Sequence, residues 1–202
     1  MGKQKTYSNF KYEDLRNLGL VFESKILFEP TLDIEPSDWL IQTLNFYSDI
    51  PKGTEKAKSE MIVVPILAEL KKNNPNVFEF FSGYNFDVDK EIGLKGHCDF
   101  LLTLKYNSPI IDSPVFSVVE AKKSDYDLGI PQCVAEMYAA RLFNERNDDN
   151  LKIIFGAVTI GTSWLFLKLE NNTVYQDKRI YELSDLPKLL GVLQTIINFY
   201  KK

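Results

Sequence analysis

The sequence predicts an α/β domain in which helices cover both faces of a mixed β-sheet. The first observation is size, since 202 residues with 45% hydrophobic content suit one compact domain with a full core. The second is the order of patterns along the chain, where segments with helical periodicity precede, separate and follow groups of strand-like segments. This order requires a sheet with helices packed against it.

Residues 1–53 are predicted to form a helical and strand extension that packs on the core. The first 20 residues are mixed and charged, and residues 25–28 have the composition of a short strand. Ser37 is suited to cap an amphipathic helix that runs to Tyr47. A Pro-Lys-Gly break then separates this extension from the core.

The core is predicted to occupy residues 54–202. Thr54 caps a long amphipathic helix over residues 55–72, although Pro65 removes a backbone donor and should kink this helix or divide it in two. Three closely spaced strand patterns then favour a meander, followed by a helix, three more strands and a closing helix. The strand patterns are residues 77–86, 97–106, 114–122, 151–160, 163–169 and 174–181, and the helical patterns are residues 129–143 and 184–200.

Charge and cysteine content limit the function classes. The net charge of −4 argues against a chain that coats nucleic acid, although a local basic rim or a bound metal can still attract a polyanion. Cys98 and Cys133 lack Cys-x-x-Cys spacing and are interpreted as buried free thiols. No run approaches the roughly 18 apolar residues of a membrane span, and the start of the chain is polar, so we expect a cytoplasmic protein without membrane contact.

Charged residues interrupt two neighbouring apolar strands. In the strand at 97–106, alternation places Asp99 with Leu101 on one face and Cys98 with Phe100 on the other.

In the next strand, the period of two places Glu120 and Lys122 on the same side. A hairpin with suitable register would bring them within a few ångströms of Asp99. The two carboxylates and the carbonyl of Ala121 offer hard oxygen ligands suited to Mg²⁺ or Mn²⁺. Lys122 would orient and help deprotonate an attacking water and offset charge on a phosphoryl group.

The segment Gly96-His-Cys-Asp99, followed by Glu120-Ala-Lys122 and by Gln132 on the next helix, resembles the PD-(D/E)xK nuclease superfamily. The similar part runs from about residue 55 to residue 169, and the run from Gly156 to Phe166 resembles a strand pair in the nuclease domains of type I restriction enzymes. The resemblance implies a restriction-endonuclease-like fold. It also implies Mg²⁺-dependent phosphodiester cleavage, with Asp99 and Glu120 as metal ligands and Lys122 as the catalytic lysine.

The same family often supplies a further acidic residue from the first core helix, and Glu60 occupies a matching place. Val63 and Leu67 lie three and seven residues later, so Glu60 extends the apolar stripe that faces the sheet. Glu55 is the weaker candidate. Gln132 resembles the glutamine that such families place near the site, where its amide would bind a ligating carboxylate or a DNA phosphate. The predicted site therefore comprises Asp99, Glu120, Lys122, Glu60 and Gln132, with metal ligands from Asp99, Glu120, the Ala121 carbonyl and Glu60.

Structural alternatives stay open at each position. The two strands could end in a salt bridge, Glu60 could serve a helix start, Gln132 could be a surface residue, and His97 is more simply structural than catalytic. The function that we predict is that of a Mg²⁺-dependent nuclease in restriction or repair. Its expected substrate is nucleic acid, with DNA favoured over RNA. The alternative is a catalytically inactive nuclease-fold binding module, as a homodimer or as a subunit of a larger complex.

Overall fold

The computed structural model describes residues 5–201 and contains a seven-stranded mixed sheet with helices packed around it, which confirms the predicted α/β class. The arrangement is consistent with a restriction-endonuclease-like fold. The strands are β1 (Val21–Lys25), β2 (Glu79–Asn85), β3 (His97–Thr103), β4 (Val115–Ala121), β5 (Ile153–Thr159), β6 (Ser163–Glu170) and β7 (Thr173–Glu182). The helices are α1 (Tyr12–Asn17), α2 (Asp38–Phe46), α3 (Glu55–Lys58), α4 (Val64–Asn73), α5 (Tyr126–Arg146) and α6 (Leu186–Tyr200).

The strands lie in the order β1-β7-β6-β5-β4-β3-β2. Strands β2, β3 and β4 form the predicted antiparallel meander, and β5, β6 and β7 form a second one. Strands β4 and β5 are parallel, so the chain must cross over between them, and α5 makes that crossover. The helix is three residues longer at each end than the pattern at 129–143 predicts.

Two apolar layers flank the sheet. One lies beneath α5 and includes Val118 of β4 and Met137 of the helix. The other lies beneath α4 and α6 and includes Val119 of β4, Ile66 and Leu193. Strand β4 is buried along its whole length because it contributes to both layers. Any charged side chain at its end must therefore find a partner inside the protein.

The predicted strand at residues 25–28 lies in a different place in the structure. The strand is β1, which ends at Lys25 and pairs in parallel with the first half of β7. Phe28 instead enters the core, where its ring contacts Phe155 and Phe166. The apolar side chains of Leu27 and Phe28 thus reflect packing rather than strand pairing.

The predicted caps of two helices are confirmed. Ser37 accepts a hydrogen bond from the Leu40 amide at 3.3 Å, and Thr54 accepts one from the Ala57 amide at 3.1 Å. Ser37 also donates twice to the buried carboxylate of Glu69, which ties α2 to α4.

Pro65 divides the long helical segment, as predicted, but the division is a wide turn rather than a break. Residues Ser59–Val63 form a π-helical turn between α3 and α4, in which the amide of Val64 donates to the carbonyl of Ser59. A π turn adds one residue to the helix and changes the direction in which earlier side chains point.

Helix α5 is fixed to the start of β4 by a single amide side chain. Asn144 is buried, and its side chain accepts from the amide of Val115 and donates to the carbonyl of Val115, each at 2.7 Å. The ladder between β4 and β5 begins only at Ser117, so these two bonds replace the partner that Val115 lacks on the β5 side. They also set the position of the helix along the strand. Within residues 5–201, none of the helices has the length and apolar character needed to cross a membrane.

Candidate active site

Asp99 lies where β3 and β4 separate. The register of the two strands runs from Phe100 opposite Val119 to Thr103 opposite Val115. Beyond that ladder, the amide of Ala121 donates to Oδ2 of Asp99 at 2.8 Å. A carboxylate thus takes the place of a backbone acceptor at the end of β4, which brings Asp99 next to the Glu-Ala-Lys segment.

The predicted face of Cys98 is wrong. Cys98 belongs to the apolar layer beneath α5, together with Leu101, whereas Phe100 belongs to the opposite layer. The register between β3 and β2 continues through Cys98, whereas the ladder between β3 and β4 begins only at Phe100, so the departure from alternation lies where β3 has lost β4 as a neighbour. Cys98 and Cys133 are both buried free thiols, as predicted.

Glu120 and Lys122 share one side of β4 and contact each other, in line with the period of two. Nζ of Lys122 donates to Oε1 of Glu120, whose side chain is 1% exposed. The backbone amide of Lys122 donates to the carbonyl of Thr159 at 2.7 Å, which anchors the end of β4 to β5. The backbone position from which the Lys122 side chain extends is therefore fixed by the sheet.

Gln132 lies on the second turn of α5 and reaches the same lysine. Nζ of Lys122 donates to Oε1 of Gln132 at 2.9 Å, and Nε2 of Gln132 donates to Oε1 of Glu136 at 3.1 Å. The predicted partner of the Gln132 amide was a metal-ligating carboxylate or a DNA phosphate, whereas the amide here donates to Glu136, which is not one of the predicted ligands, so that role stays a prediction. Sequence reasoning missed Glu136. Its signal was the four-residue spacing from Gln132, which puts both side chains on one helix face.

Burial dominates the electrostatics of this cluster. Desolvation raises the pKa of Asp99 and of Glu120, and it raises the pKa of the fully buried Glu136 to about 8. Burial opposes the charge on Lys122, but the carboxylates of Glu120, Glu55 and Asp99 outweigh it and hold the lysine pKa above its ordinary value. The surrounding carboxyl groups therefore favour the protonated, positively charged form of Lys122.

Two oxygen atoms of the cluster have no hydrogen-bond partner among the described residues, namely Oε2 of Glu120 and Oε2 of Glu136. A buried carboxylate oxygen without a partner is unfavourable, and either a proton or a hard cation would satisfy it. The donor set of Asp99, Glu120 and the adjoining Ala121 backbone therefore fits Mg²⁺ or Mn²⁺ in chemical type. Within residues 5–201, however, no group of three or more His, Cys, Asp or Glu side chains is arranged as a metal site, and Lys122 occupies one oxygen of Glu120.

The structure places Glu55 nearer the cluster than Glu60. Oε1 of Glu55 accepts from the backbone amide of Lys123 at 3.2 Å, directly after Lys122 in the chain. The side chain of Glu60 is 58% exposed and its nearest charged partner is Lys56 at 3.8 Å. The role of Glu60 as a metal ligand thus stays a prediction, without a contact to the other members.

Two cavities border the cluster, and Glu55 lines both. One, of about 400 Å³, is lined by Asp99, Glu60 and the edge strand at Ser82. The other, of about 780 Å³, is lined by Lys122 and Gln132. Its remaining wall comes from the N-terminal segment and the start of α5, with residues Ser8, Asn9, Phe10, Lys11, Tyr12, Glu13, Asp127, Leu128 and Pro131.

No protein-family model matches the chain, and no curated protein is significantly similar to it. The resemblance to the PD-(D/E)xK superfamily is therefore carried by the quoted motifs.

Proposed function

We propose that the protein is a metal-dependent nuclease that hydrolyses phosphodiester bonds, with DNA as its substrate. The observation that carries the proposal is the convergence of Asp99, Glu120 and Lys122 at the ends of two adjacent strands. An aspartate, a glutamate and a lysine in this arrangement form a working set for phosphodiester hydrolysis.

The residues have distinct roles in this proposal. Asp99, Glu120 and the Ala121 carbonyl hold the cation, assisted by an acidic residue of the first core helix, Glu60 or Glu55. A bound Mg²⁺, or Mn²⁺ in its place, supplies a Lewis acid for the phosphoryl group and lowers the pKa of a bound water.

Lys122 acts at the centre of the cluster. Its ammonium group donates to an oxygen of the phosphate and orients the attacking water, and it offsets the charge that develops on the phosphoryl oxygens. The bond from Gln132 keeps the lysine in place while the substrate enters.

The two cavities provide a path for a nucleic-acid strand. A phosphate beside Lys122 would have one neighbouring nucleotide on the side of Asp99 and the other in the cavity of about 780 Å³. Lys56 and Lys123 are exposed next to this path. They supply local positive charge to a protein whose net charge is −4.

The test uses the purified full chain with Mg²⁺ or Mn²⁺ and supercoiled, linear and single-stranded DNA, with RNA alongside. We expect metal-dependent cleavage that EDTA abolishes and that Asp99→Asn lowers by on the order of 100-fold. Asparagine at this position still has an oxygen that can accept from the Ala121 amide, so the fold should persist. Asp148→Asn makes the same chemical change at an exposed position outside the site and should leave cleavage unchanged.

Calorimetric titration with Mn²⁺ completes this test. We expect the wild type to bind the ion and Asp99→Asn to bind it at least about 10-fold more weakly. If no nucleic acid is cut and Mn²⁺ binding does not depend on Asp99, the proposal is wrong.

A second candidate is a nuclease-fold binding module without turnover. The bond from Lys122 to Glu120 favours it, because this bond satisfies a carboxylate that a metal would otherwise use. In that case the protein binds DNA without cutting it, and Asp99→Asn leaves the binding unchanged.

A further inference from the structure

Glu136 is the one member of the cluster that the proposed roles leave unused. Glu136 lies on the face of α5 that packs against β4, and its side chain is fully buried there. Small or apolar residues surround it on the helix, including Cys133, Ala139 and Ala140. A carboxyl group at such a position costs free energy that an apolar side chain would not, so its contacts identify what it does.

The two hydrogen bonds of Gln132 define the orientation of its side-chain amide. Lys122 has only hydrogen-bond donors, so the Gln132 atom that faces it must be the carbonyl oxygen. The amide nitrogen of Gln132 then points the other way, and the carboxylate of Glu136 accepts from it at 3.1 Å. With the amide reversed, the Nε2 donor would face the ammonium group of Lys122, which offers no acceptor.

We propose that Glu136 is a positioning residue that fixes the amide orientation of Gln132 and thereby holds the ammonium group of Lys122 at the reacting phosphate. Its significance for cleavage rests on the proposed nuclease function, but the contact chain from Glu136 through Gln132 to Lys122 does not. Glu136 does not touch the substrate in this arrangement. It acts through two hydrogen bonds, of which the second ends on the catalytic lysine.

The kinetic test is a double-mutant cycle with Glu136→Met and Gln132→Leu. Methionine keeps the length of the side chain and removes the acceptor, whereas Glu136→Gln keeps an acceptor oxygen for Gln132 and is the matched control. We expect Glu136→Met to lower kcat by about 10-fold with KM unchanged, and Glu136→Gln to stay within about 2-fold of the wild type. The double variant should be no slower than Gln132→Leu, because the two residues act through one contact.

A second measurement does not depend on cleavage. In protein labelled with ¹³C-lysine, the ε-methylene signal of Lys122, assigned with Lys122→Arg, should move to the same position in Glu136→Met as in Gln132→Leu and stay in place in Glu136→Gln. If Glu136→Met does not fold, Glu136→Ala takes its place, since its smaller side chain cannot clash.

The proposal is overturned if removal of the acceptor leaves both kcat and the Lys122 signal unchanged, or if the effects of the two single variants multiply in the double variant. A wild type that cuts nothing would refute the nuclease function. The Lys122 signal would then still decide whether Glu136 positions the lysine.

Discussion

The buried carboxyl group of Glu136 should make the stability of the fold depend on pH. Burial raises the pKa of this group from its ordinary value of 4.5 to about 8. Between these two values the folded protein keeps a proton that the unfolded chain has released. The free energy of unfolding therefore falls as the pH rises through this window, by about 1.4 kcal/mol for each pH unit.

The perturbation that tests this effect is Glu136→Gln, which resembles the protonated side chain at every pH. From pH 5 to pH 8 the wild type should lose about 3.5 kcal/mol that the variant keeps. Urea unfolding in EDTA at pH 5, 6, 7 and 8 measures the difference in the free energy of unfolding. Glu145→Gln on the same helix is the control, because its side chain is 50% exposed and should show no such trend.

The reasoning fails if the stability difference between Glu136→Gln and the wild type is the same at all four pH values. It also fails if the variant gains most at pH 5, since the sign would then be reversed. A pH-dependent difference that Glu145→Gln reproduces would assign the effect to net charge rather than to burial.

Two further pairs of variants test the candidate site and the packing around α6. If the proposed function is right, Glu55→Gln should lower metal-dependent cleavage by about 10-fold and Glu60→Gln by much less, because of these two residues only Glu55 contacts the segment at Lys122 and Lys123. Cleavage rates measured at equal metal concentration test this order, and the opposite order would contradict it. Gly191→Ala should lower the free energy of unfolding by about 1–3 kcal/mol, because the added carbon would lie 1.7 Å from the carbonyl oxygen of Leu32. Gly53→Ala meets nothing within 4 Å and should change stability by less than about 0.5 kcal/mol, so equal effects in denaturant unfolding would refute the argument.

Much of the fold could be predicted because local signals agree with the final packing. The caps at Ser37 and Thr54 and the strand periodicity of β2 to β7 act over short stretches of sequence. Strand β1 could not be located in this way. It is a five-residue edge strand with an exposed Val21, so it shows no alternation, and its partner lies about 150 residues later in the chain.

The candidate site divides in the same manner. Asp99, Glu120 and Lys122 interrupt apolar segments, and the period of two relates Glu120 to Lys122 directly. The placement of Glu60 relied on helical periodicity, which the π turn at Ser59–Val63 interrupts by one added residue. Glu136 looks like an ordinary polar residue of a helix in the sequence, since its burial depends on how α5 lies against β4.

The attachment of α5 to β4 has a consequence for tolerance to insertions. The helix is fastened to the strand twice, by Asn144 at Val115 and by Gln132 at Lys122. The two fastenings are about 18 Å apart along the helix and about 23 Å apart along the strand. One residue added to the helix between them would turn Gln132 by about 100° relative to Asn144, so both bonds could not persist together. The length of this helical segment, and not only its composition, thus determines the geometry of the candidate site.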